Sequence, residues 1–186
     1  MTKKKQSWLV IGIVLIALLI DQVSKVYVKT HFEYGETYQV FSWFWITFIE
    51  NPGMAFGIEW FSKLLLTLFR IVAVALLAWY TYIMINKQEV RVGYLTTIAM
   101  VIAGALGNII DCVFYGKIWN YAGWFRGEVV DMLYFPIIRD ASGECLFFRP
   151  VFNVADSFIT VAVILIIIFY RKDLDASLEK IFPQKK

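Results

Sequence analysis

The chain has 186 residues, of which 60% are hydrophobic and 18% aromatic, with a mean hydropathy of +0.64. That apolar share exceeds the ~45–50% of a soluble domain and falls in four blocks, so a multi-pass helical membrane protein is expected rather than a water-soluble one. A net charge of +3 is too small and dispersed for a nucleic-acid binder, and two cysteines with a single histidine give no zinc-ligand spacing, so no metal or other cofactor is expected.

The first block opens on Lys3, Lys4 and Lys5 and runs from Trp8 without a small-x-small cleavage site, so a retained span is predicted over 8–28 rather than a removable leader. Residues 31–61 differ in kind. Aromatic and β-branched residues from Thr37 to Ile49, then a turn signal at Asn51-Pro52-Gly53, predict short strands lying on the membrane surface. Further spans are predicted over 64–85, 94–113 and 152–170, with a long loop over 114–151 and a polar tail after Tyr170. The fold class expected is therefore a mainly α membrane protein, a four-transmembrane-helix bundle with a small extracytoplasmic β-sheet cradle, forming a single domain over 1–186.

Lys and Arg are densest at the N-terminus, in the short link between the second and third spans, and in the tail. The positive-inside rule then puts both termini in the cytoplasm. On that topology Asp21 and Lys25, Arg70, Asn108 and Asp111, and Asn153 and Asp156 all fall in the outer halves of their helices. Charges inside a bilayer are costly, by at least ~2.5 kcal/mol at mid-depth, so their convergence from four helices of alternating direction marks one polar site near the outer surface. A transporter would place polar residues at the midplane and inner half, and the inner halves carry no charge.

Each residue also has a plainer reading. Asp21 and Lys25, four apart, form a helical ion pair. Gly104 and Gly107 let helices approach, and Asn153 caps the last helix. Ser24-Lys25 makes no catalytic dyad because adjacent helical residues diverge. Cys112 and Cys145 leave the possibility of a bridge open. Two acids are harder to explain away. Asp156 lies just inside the last apolar run, and Asp131 stands among Val129, Val130, Met132 and Leu133 in the long loop. Two carboxylates brought together share a proton, so that one acts as base on water while the other polarises a carbonyl. Peptide hydrolysis by Asp131 and Asp156 at the outer membrane face follows as the expected chemistry.

Asp21-Gln-Val-Ser-Lys, Asn51-Pro-Gly-Met-Ala-Phe, Gly104-Ala-Leu-Gly-Asn-Ile-Ile-Asp, Val129-Val-Asp and Phe152-Asn-Val-Ala-Asp-Ser resemble, in order, the motif blocks of lipoprotein signal peptidase (signal peptidase II). The resemblance implies a bacterial inner-membrane aspartyl peptidase with Asp131 and Asp156 as its catalytic pair. Asn51, Gly53, Asn108, Asp111, Asn153 and Ala155 are then supporting or substrate-contacting, beside Asp21, Lys25 and Arg70 of the polar site. The implied substrate is a diacylglyceryl-modified prolipoprotein, cut just before its lipidated cysteine, with membrane lipid around a monomeric enzyme and globomycin-type antibiotics as ligands. Two features depart from the family pattern. Cys112 stands where an arginine is usual, so Arg70 or Lys25 is expected to supply the positive charge. The stretch around Tyr121-Ala-Gly-Trp-Phe-Arg-Gly is longer than usual and is read as a mobile lid.

Overall fold

In the computed structural model, which describes residues 1–52, 61–87, 90–139, 145–147 and 150–181, four helices are long and apolar enough to cross a membrane. Helix α1 (Lys3–His31) is capped by Thr2, whose side chain accepts from the Lys5 N–H. It is followed by β1 (Thr37–Phe41) and β2 (Phe44–Asn51), then α2 (Phe61–Lys87) and α3 (Val92–Ile110). The third span continues through a π-helical segment (Asp111–Tyr115) into the short α4 (Gly116–Ile118). Strands β3 (Val129–Tyr134), β4 (Ile138–Arg139), β5 (Cys145–Phe147) and β6 (Val151–Phe152) precede α5 (Val154–Leu165). A second π-helical segment (Ile166–Tyr170) joins α5 to α6 (Arg171–Ile181).

Burial separates the spans by role. Of the apolar stretch of the third span 67% is buried, against 17%, 22% and 11% for the first, second and fourth, so α3 is the centre of the bundle and the others face lipid. Small residues make that centre possible. A Cβ on Gly104 would strike the Ala155 carbonyl and Ile159 of α5, and one on Gly107 would strike the Asp21 carboxylate and the Ala155 Cβ. These two glycines let the backbones of α1 and α5 close on the same stretch of α3.

The strands extend further along the chain than the predicted 31–61 region. Strands β1, β2, β3 and β6 form one antiparallel sheet in that order, and β4 pairs with β5 separately. Asp131, expected in a loop, instead lies in an inner strand, where Ile49 pairs with Asp131 and Asn51 with Val129. Six residues that are apolar except for one acid do not alternate, because both faces of β3 are covered. The residues after Tyr170, expected as a polar tail, form α6. Leu174 and Ile181 fall on one face of it and pack with Tyr80, Met84, Tyr94 and Leu95 at the far end of the bundle from the sheet.

The expected lid is folded back on the bundle. The Gly127 N–H donates to the Cys112 carbonyl (2.9 Å) and the Phe125 N–H to the Val113 carbonyl (3.0 Å), while the Gly116 carbonyl accepts from Tyr121 and Ala122. The π-helical widening misaligns carbonyls from their usual amide partners, and this loop supplies two of the donors. Cys112 and Cys145 are not joined in a disulfide.

If close approach of backbones at Gly104 sets the bundle, Gly104→Val should cost about 1–3 kcal/mol of stability through overpacking. Thermal unfolding of the purified protein in detergent measures this, with Gly12→Val, whose added Cβ meets nothing within 4 Å, as the neutral control.

Candidate active site

Two linked clusters make up the site. The first is an ion triad at the sheet end of the bundle. The Lys25 ammonium lies 2.9 Å from Asp21 and 2.7 Å from Asp111, and the Lys25 and Asp111 side chains are fully buried. The other Asp21 oxygen accepts the Ala155 N–H at 2.9 Å. Gln22 donates to Asp21 and to Asp111 (both 3.0 Å), and its own oxygen accepts from the Tyr115 hydroxyl. Asp111 also accepts the Val130 N–H of β3 at 3.4 Å. One ammonium and two carboxylates thus tie α1, α3, α5 and β3 together.

Asn108 carries the connection to the second cluster. Its oxygen accepts from Lys25 (3.0 Å) and from the Asn153 amide (3.1 Å). An amide whose oxygen is held by an ammonium has only its NH₂ left to offer, and Asn108 Nδ2 donates to Asp156 Oδ1 at 2.8 Å. Asn153 repeats the arrangement, donating from Nδ2 to Asp131 Oδ1 at 2.7 Å. Asn51 at the end of β2 donates to the other Asp131 oxygen at 3.0 Å.

Local sequence explains why Asp156 is there. Asn153 is the N-cap of α5, with its side chain accepting the Asp156 N–H (2.9 Å) and Asp156 returning the contact to the Asn153 N–H (3.4 Å). This capping box sets the carboxylate at the first turn of the helix. Asn153 therefore touches both acids, one through its side chain and one through its backbone. Asp131 is 3% exposed and Asp156 is partly exposed, so the pair has one sealed and one accessible member. Burial pushes the Asp131 carboxyl up to about 6, with the Asp156 charge adding to the rise and the Asn51 and Asn153 amides opposing it.

Of the expected residues, Asp131, Asp156, Asn51, Asn108, Asn153, Asp111, Asp21 and Lys25 form this one network. Ala155 is fully buried and joins it through its backbone N–H. Arg70 stands apart, with its guanidinium donating to the Cys112 sulfur at 3.3 Å, so Lys25 is the cation hydrogen-bonded into the site. Gly53 lies outside the described residues. Sequence reasoning did not single out Gln22 or Tyr115. Gln22 was findable, being a polar side chain beside Asp21 inside an apolar helix, whereas Tyr115 resembles the many other aromatics of the chain.

With this geometry in view, the relatives are informative. Residues 13–171 match the family model described as signal peptidase (SPase) II. The chain belongs to the signal peptidase II family. A lipoprotein signal peptidase of Porphyromonas gingivalis is 38% identical over 96% of this chain and 90% of its own length. Another, of Amoebophilus asiaticus, is 35% identical over 97% of this chain and 84% of its own length. Two solved structures described as bacterial membrane enzymes are similar as well. One has a TM-score of 0.67 at 29% identity, covering 95% of this chain and 92% of the other, and the second has 0.68 at 31%, covering 88% and 93%. This signal peptidase II is therefore a multi-pass membrane peptidase.

Removing the Lys25 charge leaves two buried carboxylates facing each other. Lys25→Met is expected to destabilise the peptidase by about 3 kcal/mol or more. Adding Asp21→Asn and Asp111→Asn should recover much of that loss. Chemical denaturation in detergent measures both, and a Lys25→Met enzyme as stable as wild type would contradict the triad's structural role.

Proposed function

We propose that the peptidase removes the signal peptide from diacylglyceryl-modified prolipoproteins, cutting immediately before the lipidated cysteine, with Asp131 and Asp156 as its catalytic pair. The observation carrying this reading is that Asn51, Asn108 and Asn153 all aim amide donors at these two carboxyl groups. Amide donors fix orientation without neutralising the acids, which leaves a proton for the pair to share. The sealed Asp131, whose carboxyl is pushed up to about 6, is the better holder of that proton. It polarises the scissile carbonyl, while Asp156, reachable from outside, takes a proton from the attacking water. As the tetrahedral intermediate collapses, the proton gained by Asp156 passes to the departing amine of the cysteine, and the proton shared by the pair is restored.

The triad's part is to hold the amides still. Lys25 fixes the Asn108 oxygen, so the donor facing Asp156 cannot flip to present an acceptor. Preorganisation of this kind lowers the reorganisation needed when charge develops. Under the topology expected from basic residues, with both termini cytoplasmic, the pair sits at the outer face of the bacterial inner membrane, within reach of a diacylglyceryl chain in the outer leaflet. Acyl-chain binding then serves to position the bond. A globomycin-type cyclic peptide is expected to compete at the same place, and a monomer carries every residue of the network.

The decisive assay is cleavage of a lipidated prolipoprotein peptide by purified enzyme in detergent. Asp131→Asn and Asp156→Asn should each lower kcat by about 10³-fold or more, with wild-type activity surviving EDTA. Retention of activity in either variant would remove that residue from the mechanism. If the active form is the singly protonated pair, kcat/KM must fall on the alkaline side as pH rises past about 6, where Asp131 gives up its proton. The corresponding peptide without lipid should be cut much more slowly, and equal rates would refute a role for the acyl chains.

A further inference from the structure

One part-buried cation has no part in the network described above. Lys29 lies one helical turn beyond Lys25 on α1, and its ammonium pairs with the Glu50 carboxylate of β2. Three aromatic rings surround it. The Nζ atom is 4.9 Å from the ring centre of Tyr121, 5.4 Å from Phe48 and 5.5 Å from Trp119. Cation–π attraction strengthens where water is excluded, and this lysine side chain is only 9% exposed.

The rings come from separate parts of the chain. Phe48 belongs to β2, whereas Trp119 and Tyr121 belong to the turn that follows α4. Among the described residues the buried indole Nε1 of Trp119 has no hydrogen-bond partner, so ring contacts with Lys29 and Tyr115 set its position. Tyr121 is anchored from behind, its hydroxyl accepting the Glu128 N–H at 2.9 Å. Burial pushes the Tyr121 phenol up to about 12, so its ring stays neutral and its electron-rich face stays available. The extra loop is thereby attached to the sheet through Lys29.

The attachment point adjoins the catalytic pair. Glu50 precedes Asn51, whose amide donates to Asp131 at 3.0 Å. Both residues close the β2–β3 ladder, with Glu50 opposite Val130 and Asn51 opposite Val129. A strand end frays unless something beyond its ladder holds it, and Glu50 is what Lys29 holds.

We propose that Lys29 is a positioning residue for peptide cleavage, acting through Glu50 within the Phe48, Trp119 and Tyr121 cage to keep the Asn51 amide on Asp131. The proposal rests on the reading of Asp131 as one of the catalytic pair. It assigns the loop after α4 a task other than covering the site, namely closing the cage around Lys29 with Trp119 and Tyr121. The groups facing Asp131 are Asp156 and Asn153 at the start of α5, Asn51 of β2 and, through Asn108, Lys25 of α1. Only the Asn51 contact lies next to Glu50. Losing the clamp therefore weakens one donor to an ionised carboxylate, which raises the affinity of Asp131 for its proton.

The test compares wild type with Lys29→Met, Glu50→Gln, the double variant, Lys29→Arg and Asp131→Asn, using pH profiles of kcat and KM on the lipidated peptide. The expected result for Lys29→Met and Glu50→Gln is a loss of about tenfold in kcat with KM little changed. The alkaline limb should move upward by about half a pH unit in both. The double variant should be no worse than either single, because both break one link, and Lys29→Arg should keep most of the activity. Unchanged profiles in folded Glu50→Gln and Lys29→Met enzymes would overturn the proposal. So would a loss of activity that follows melting temperature alone while the limb stays in place. If Asp131→Asn cleaves as wild type does, the catalytic reading itself fails and the proposal falls with it, a result distinct from intact dependence on Asp131 without dependence on Lys29.

Discussion

Everything at the sheet end of this bundle depends on how one ammonium group is housed between two carboxylates. Lys25 alone would be intolerable in a helix bound for lipid, and so would Asp21 and Asp111 together. Combined, they carry one net negative charge, and that residual charge is surrounded by donors: the Ala155 and Val130 amides and the Gln22 side chain. A buried ion cluster of this kind does little for stability compared with an apolar core, because desolvation offsets most of the Coulomb attraction. In the arrangement observed, α1, α3, α5 and β3 each contribute a group that satisfies the cluster.

The same logic extends from the triad to the aspartate pair. Asparagine is ambiguous, offering an acceptor at one end and donors at the other, and an unconstrained amide can turn over. Lys25 removes the ambiguity at Asn108, and the α5 N–H of Asp156 removes it at Asn153. Charge in the triad is thus converted into a defined direction of hydrogen bonding at the acids. Among the described residues, the contacts to Asp131 and Asp156 come from amides rather than from a cation, which orients the two acids without neutralising them.

The parts legible in the sequence were those whose misplacement would be most costly. Asp21, Lys25, Asn108, Asp111, Asn153 and Asp156 stand out because apolar helices tolerate such residues only for a reason, and their common depth followed from helix direction alone. Asp131 was recognised as important but placed in a loop, since a strand buried on both faces has no alternating signature. Helix α6 was read as a tail because its charged residues outweigh Leu174, Leu178 and Ile181 in any average, although their spacing is helical. Arg70 illustrates a different limit. Depth put it near the site, but azimuth around α2 decided its contact, and it faces Cys112. The pairing of Lys29 with Glu50 joins elements with no local relation, so no pattern along the chain could announce it.

Asn153 has a consequence for how such an enzyme is made. It is at once the cap that starts the last membrane helix and the side chain that bridges the two acids. The chain emerges from its N-terminus, so α1, the sheet's first strands, α2, α3 and Asp131 all precede it. Until α5 has inserted and found its place against Gly104 and Gly107, Asp131 lacks both its partner acid and one of its amides. A membrane peptidase built this way completes the hydrogen-bond network between the two acids only when its last span is in place, and that final span is therefore the piece that joins them.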